Sequence, residues 1–466
     1  MTPQPGRFSV KIDTARFLRM AATLVSESSS LASLRANFGS RPCIYGVYDG
    51  PLGGLQARES LCRGCLRCMI EHPDVARIEL SAEYKRLGDR YWKPEQVLTV
   101  WNEAATGRVP VRGMGYGGPF RGPGFDDIWT DFSEIVRPTR DGIHGREYIS
   151  TAVDLGTPPL PLGDFEQAAA DCERLLSLPL PMVLEAPRLA AGDASAVLPA
   201  LASAASRAGT LLLCDSDQWD DSLTPFGASV APVLHAAPQP RRPSGPSGPA
   251  PTLIEWASTE ENPVPPLRAV HESEDALWCL RLPMSPGFED RVVELVRRGA
   301  GCLHLRADYH GREWETATPR FVTDLTRSVH GRLVGESLRD RVTLIVGGGI
   351  VAAEHVPKTI LCGADLVALE TAPLVALQAA WKGDWTGRDA TVPYLQAIDR
   401  DWAAQRVMNL LCAWRDQLLE IMGAMGLRDV RRLRGEVGRA MFAAELEHEI
   451  FGPLFGRPRQ EGRGHA

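Results

Sequence analysis

Three equally spaced cysteines are the first residues in the chain whose type and separation could do chemistry. They stand in the run Cys62-Arg-Gly-Cys65-Leu-Arg-Cys68-Met-Ile-Glu-His72-Pro73. Ferredoxin-type clusters are held by Cys-x2-Cys-x2-Cys-x3-Cys-Pro; here the spacing and the proline agree, and His72 takes the fourth ligand position. Thiolates so spaced can wrap one cubane, whereas a tetrahedral zinc site normally draws on two separated Cys-x-x-Cys pairs. Cys62, Cys65, Cys68 and His72 are therefore open to an iron–sulfur, a zinc or a metal-free reading. A complete four-iron site would need His72, Cys43 or an external thiol; a three-iron site would need no fourth ligand. Cys172, Cys214, Cys279, Cys302, Cys362 and Cys412 stand alone in apolar surroundings and read as small buried hydrophobes.

A second signal is Thr343-Leu-Ile-Val-Gly347-Gly348-Gly349-Ile-Val-Ala-Ala-Glu-His355, followed by Gly363-Ala-Asp365 and Leu366-Val-Ala-Leu369. The order is strand, glycine turn, helix, strand, then the start of another helix. Glycines let backbone N–H groups approach a phosphate closely, and the helix N-terminus beyond adds partial positive charge. The plainer reading is a tight strand-to-helix turn with no ligand.

Such groups need a scaffold, and the middle of the chain supplies one. Short apolar runs at Pro110–Met114, Met182–Glu185, Thr210–Leu213, Ala231–Leu234, Leu277–Leu282, Cys302–Leu305, Thr343–Val346 and Asp365–Leu369 have the character of buried parallel strands. Amphipathic stretches at Phe165–Leu176, Asp290–Arg298, Phe321–Leu333 and Ala353–Leu361 predict helices between them. About eight strands alternating with helices over roughly 300 residues predict an α/β fold, a closed (β/α)8 TIM-type barrel. An open doubly wound sheet is the alternative, weakened by the lack of a Gly-x-Gly-x-x-Gly after an early strand. The expected division is an N-terminal extension at 1–90, the barrel at 91–391 and a C-terminal helical segment and tail at 392–466. A proline-rich stretch at 236–251 reads as a solvated insertion in the barrel.

Composition narrows the class. A net charge of −7 favours neither nucleic acid nor an anionic membrane as partner. No apolar run approaches the roughly 20 residues that span a bilayer, and the first residues lack a signal-peptide pattern, so the chain reads as cytoplasmic.

The glycine segment resembles the FMN-phosphate corner of the glutamate synthase barrel and its FMN-dependent relatives. Gly113-Met114-Gly115-Tyr116-Gly117-Gly118 is similar to the strand that lies against the flavin ring in that family. Ser133 to Ser150 resembles a block found in short, free-standing glutamate synthase-like proteins. Leu280-Arg281-Leu282 falls where the family has a lysine pointing at flavin and substrate, and Leu419 to Gly435 is like its C-terminal helix–turn element. In order, these pieces cover about 91–439. The resemblance implies that Gly113, Met114, Gly115, Tyr116, Gly117, Arg281, Gly347, Gly348, Gly349, Glu370 and Thr371 would contact FMN.

There are departures too. Glu370-Thr371 replaces the family's Gly-Thr, and a carboxylate beside a phosphate is unfavourable unless a cation intervenes. Ala307-Asp308-Tyr309-His310-Gly311-Arg312 replaces a His-Asp-Gly-Gly-Thr-Gly run, and no cysteine lies between Pro373 and Leu411, where full-length synthases hold a cluster. Met1-Thr2 cannot supply a glutaminase's N-terminal cysteine, so ammonia or an amine would come from solution or from an amidotransferase or complex subunit.

His310, with Asp308, follows a barrel strand and could donate a proton to a reduced imine; a turn histidine bonded to its own loop is the alternative. Arg281 could stabilise charge at the flavin N1–O2 edge or clamp a substrate carboxylate. His304 reads as a satisfied core histidine, and Arg137, Arg140 and Arg146 as an ion-pair network or a carboxylate site. The resemblance thus implies an FMN oxidoreductase that reduces the imine of a 2-oxo acid, such as 2-oxoglutarate, and ammonia or an amine. Electrons would arrive through the N-terminal cluster from ferredoxin or another donor protein. A barrel that has lost FMN and serves as a binding or scaffold subunit is the alternative.

Overall fold

Strands buried on both faces have no amphipathic alternation and must be covered by helices, so parallel strands announce themselves as continuous apolar runs. Eight such strands form here: β1 Met182–Glu185, β2 Leu212–Asp215, β3 Val230–Leu234, β4 Leu253–Ala257, β5 Leu277–Pro283, β6 Cys302–Arg306, β7 Thr343–Gly347 and β8 Leu366–Leu369. Each pairs in parallel with the next, and β8 closes on β1. The fold is therefore a closed TIM-type barrel rather than an open sheet. The computed structural model describes residues 6–27, 30, 43–49, 56–112, 115–116, 124–126, 128–130, 148–156, 175–187, 191–235, 249–258, 276–379, 398–435 and 440–442.

The chain divides into two compact units, Met1–Asp89 and Arg90–Ala466. In the second, seven helices matter: α1 Pro94–Thr106, α2 Ala191–Ala208, α3 Phe288–Arg297, α4 Val322–Gly335, α5 His355–Leu361, α6 Thr371–Ala376 and α7 Arg400–Ala424. Helix α1 starts with proline at its first turn and stops at Gly107, whose φ of +67° is a left-handed cap. Helix α7 clamps α1: Trp414 Nε1 donates to Glu103 at 2.9 Å, and Arg406 donates to the carbonyls of Ala376 and Trp101.

Two strand expectations need correction. Val111–Arg112 pairs with Gly115–Tyr116 in an antiparallel hairpin outside the barrel. Its place in the barrel goes to β4, Leu253-Ile-Glu-Trp-Ala257, whose central glutamate hid it among apolar runs. Leu176 belongs to the strand Leu176–Leu178, paired with Val153–Leu155, while residues 165–174 lie outside the described residues. So do 236–248 of the proline-rich stretch and the arginines at 137, 140 and 146. Cys214, Cys279, Cys302 and Cys362 are buried as expected, but Cys412 sits on the exposed side of α7.

The first unit holds an antiparallel pair, Phe8–Ile12 with Ala76–Leu80, and the helix Thr14–Glu27. Glu59 ties the turn before Cys62 to this pair by accepting from Val10 N at 2.7 Å and Ser9 Oγ at 2.9 Å.

Candidate functional site

Successive side chains of a strand point to opposite faces of the sheet, so one set from each barrel strand must fill the interior. Here the upper interior is ionic. Arg281 of β5 donates from Nε and Nη2 to the two oxygens of Glu255 of β4, both at 2.8 Å. Its Nη1 lies 3.0 Å from Glu185 of β1. Because β1 and β5 face each other across the closed sheet, these groups can meet only inside it. Arg306, at the end of β6, stands 3.2 Å from Glu185 and also donates to Glu370, the residue after β8. His304 Nδ1 completes the group, 2.6 Å from Glu255. None of the six is more than 6% exposed.

Buried ions are tolerated only when their mutual attraction offsets lost hydration. Burial pushes the Glu255 carboxyl up, but Arg281 and His304 outweigh it and hold the group well below the usual carboxylate range. Burial likewise pulls Arg281 down, and Glu185 and Glu255 raise it above its ordinary value. Arg281 is thus permanently charged and held on three of its nitrogens. Glu370 is paired with Arg306, a cation that offsets its charge.

The corner follows β7. Gly348 and Gly349 have φ of +101° and +71°, and a Cβ on Gly348 would lie 2.5 Å from the carbonyl oxygen of Asp308. A Cβ on Gly349 would lie 2.7 Å from Gly311 Cα; one on Gly347 would lie 3.0 Å from His304 Nε2. The close approach that demands glycine is therefore made by the 308–311 loop and by the barrel interior. Tyr91 Oη donates to the Gly349 carbonyl at 2.6 Å. Among the described residues, no acceptor meets the backbone N–H groups of Gly348, Gly349 and Ile350, or those of Thr371 and Ala372 at the start of α6. All five residues are buried. Buried N–H groups without an acceptor are rare, and a phosphate is a ligand that satisfies several at once.

Asp308 Oδ1 accepts from the N–H groups of His310 and Arg312 at 2.8 and 2.7 Å, an Asx turn that fixes the loop. Burial pushes its carboxyl up, against those two bonds. The His310 ring stacks on Tyr91 at 5.1 Å and is 3% exposed. Of the residues expected against the flavin ring, Gly113, Met114 and Gly117 lie outside the described residues, and Gly115–Tyr116 forms the hairpin noted above.

Glu185, Glu255 and Arg306 escaped sequence reasoning, although charges inside apolar strand runs were the available signal. A second missed pair sits at the same end of the barrel: His235, just after β3, places Nε2 2.8 Å from Asp215 of β2. Its side chain is 39% exposed.

In the first unit, Cys43, Cys62, Cys65 and Cys68 line one small pocket. Gly64 and Leu66 take left-handed backbone between the run's cysteines, and a short helix, Arg67–Glu71, buries Cys68. His72 caps that helix and is not among the residues lining the pocket. Among the described residues, no three His, Cys, Asp or Glu side chains converge on a single-ion position.

A family model described as the conserved region in glutamate synthase matches residues 299–428, a span that includes β6, β7, β8 and most of α7. The archaeal-type glutamate synthase [NADPH] of Thermotoga sp. (strain RQ2) is 25% identical over 88% of this chain and 93% of its own length. The archaeal glutamate synthase [NADPH] of Archaeoglobus fulgidus is 24% identical over 90% of this chain and 94% of its own. Among solved structures, the flavin-binding domain of baker's yeast flavocytochrome b2 covers 80% of this chain and 90% of that one, with a TM-score of 0.45 and 11% identity. The motifs quoted from the sequence and the relatives that span the chain agree: the chain is similar to the archaeal-type glutamate synthases over most of its length.

Proposed function

We propose that the chain is an FMN-dependent oxidoreductase of the glutamate synthase type, reducing the imine of a 2-oxo acid and ammonia or an amine. The observation that carries this reading is the set of buried N–H groups at Gly348, Gly349, Ile350, Thr371 and Ala372, at the ends of adjacent barrel strands, that meet no acceptor among the described residues. Barrels of this kind bind phosphate after their last two strands. The likeness to relatives named glutamate synthase [NADPH] supports the reaction class, and the motif resemblance supports FMN as the cofactor.

Bound FMN would supply a hydride to the imine carbon. The protein's own groups do the rest. The five N–H groups hold the phosphate, and the Glu370–Arg306 pair keeps the corner from repelling it. Arg281 keeps one N–H on each of Nη1 and Nη2 beyond its bonds to the glutamates, and these would face the flavin edge or a substrate carboxylate. Asp308 is committed to its loop, so it positions His310, and His310 is the candidate donor of the proton that completes the amine. Cys62, Cys65 and Cys68 would hold an iron–sulfur centre that passes electrons from a donor protein. The partners in this reading are a 2-oxo acid, ammonia or an amine, and a ferredoxin-like donor, with an amidotransferase subunit as the ammonia source. A cytoplasmic location accords with it; no described helix is long and apolar enough to cross a membrane.

The test is an anaerobic purification followed by visible spectra before and after dithionite. Paired flavin bands that bleach, and an imine-dependent reoxidation of the reduced protein, are expected. A colourless protein that refuses added FMN overturns the reading and leaves a barrel serving as a binding subunit.

A further inference from the structure

The run of three cysteines leaves its fourth ligand unassigned, and the sequence pattern points to His72. The fold points elsewhere. His72 ends the helix Arg67–Glu71, where its N–H donates to the Cys68 carbonyl at 2.9 Å and its own carbonyl accepts from Val75 and Ala76. Its backbone is spent on the turn that leads into Ala76–Leu80, and its side chain is not on the cysteine pocket. Cys43, nineteen positions before Cys62 in the sequence, is on that pocket. The turn from Cys43 to Asp49 closes through Gly46 N to the Cys43 carbonyl at 3.3 Å. Arg58 N then ties Val47 down at 2.7 Å, and Val47 is buried.

We propose that Cys43 is the fourth thiolate of an iron–sulfur site shared with Cys62, Cys65 and Cys68, and that His72 stays outside it. The inference rests on the cluster reading given above and deepens it. Four cysteines are the complete ligand set of a four-iron cluster. Four thiols around one pocket match that ligand count.

The full chain, reconstituted anaerobically with iron and sulfide, separates the outcomes by iron and sulfide content, Mössbauer spectra and electron paramagnetic resonance. About four irons per chain are expected in the wild type and in His72→Ala. Cys43→Ser is expected to retain about three, with the paramagnetic signal of an oxidised three-iron cluster. Flavin content and circular dichroism report whether each variant is folded. A four-iron cluster that survives Cys43→Ser but is lost in His72→Ala overturns the assignment of Cys43 while leaving the cluster reading intact. A wild-type chain that takes up no iron, or one zinc in its place, overturns both.

Discussion

At the carboxyl end of the barrel, Arg281 and Arg306 are buried with Glu185, Glu255 and Glu370, each charge within reach of an opposite one. The cysteine pocket gathers four ionisable groups of one sign, with Cys68 buried, Cys43 and Cys62 half-buried and Cys65 exposed. The first arrangement supplies its own counter-charges and is finished when the chain folds. The second has no carboxylate among its lining residues, and under the proposal above it would be completed only by a bound iron–sulfur cluster. Groups that stay charged at every accessible pH must be compensated inside the fold, whereas groups that can hold a proton may wait for a ligand.

Removing one side of a buried pair should therefore do the most damage. Glu255→Ala leaves Arg281 and His304 facing one glutamate fewer, and a loss of about 3–5 kcal/mol is expected in chemical denaturation. A loss below about 1 kcal/mol would break the contrast, since the barrel charges would then be as independent as the thiols.

Glu103 sharpens the rule, being a buried carboxyl with no counter-ion among the described residues. Burial, opposed by the Trp414 bond and reinforced by Glu354, pushes it up to about 8. Its folded-state affinity for a proton exceeds the unfolded one, so its contribution is fully present below the usual carboxylate range. That contribution is lost as pH rises toward 8. Glu103→Gln keeps an acceptor for Trp414 and cannot ionise. Its melting temperature should match the wild type near pH 4 and exceed it at pH 8, by on the order of a few kcal/mol of stability. Parallel melting curves across that range would contradict the assignment.

The glycine corner comes next. Gly348→Ala forces a Cβ against the Asp308 carbonyl at a φ of +101°, and about 1–3 kcal/mol of stability should go with it. FMN retention should fall further than that loss alone explains, because the adjacent N–H groups shift with the loop. Smallest of all, Cys62→Ser in the metal-free chain should change stability by less than about 1 kcal/mol yet abolish the four-iron spectrum.

Much of the barrel was legible because its strands are apolar on both faces: seven of the expected runs became barrel strands at nearly the expected bounds. The eighth, Leu253–Ala257, was hidden by Glu255, whose charge looks wrong for a core strand until Arg281 and His304 appear beside it. Val111–Arg112 was misplaced because a short β-branched run reads alike in a hairpin and a barrel. The glycine corner could be read locally, since strand, turn and helix are adjacent in sequence. The ionic lattice could not: it joins residues on, or just after, five different strands, and only closure of the sheet shows that β1 faces β5. Cys43 was one of three candidates for the same reason, because nothing in its local sequence states that its turn returns to Cys62.

The clamp between α1 and α7 has a consequence in time as well as in space. Trp414 and Glu103 are 311 residues apart, and Arg406 and Trp101 are 305 apart. As the chain leaves the ribosome, α1 is among the first elements of its unit to emerge and must wait for nearly the whole barrel before its partner is made. Until then its buried face, with Val97, Val100 and Ala104, has no cover. Contacts of such long separation slow folding and extend the interval in which apolar surface is exposed. Synthesis order thus makes α7 one of the last pieces of the second unit's core to arrive, followed by the buried Val430 and Leu433.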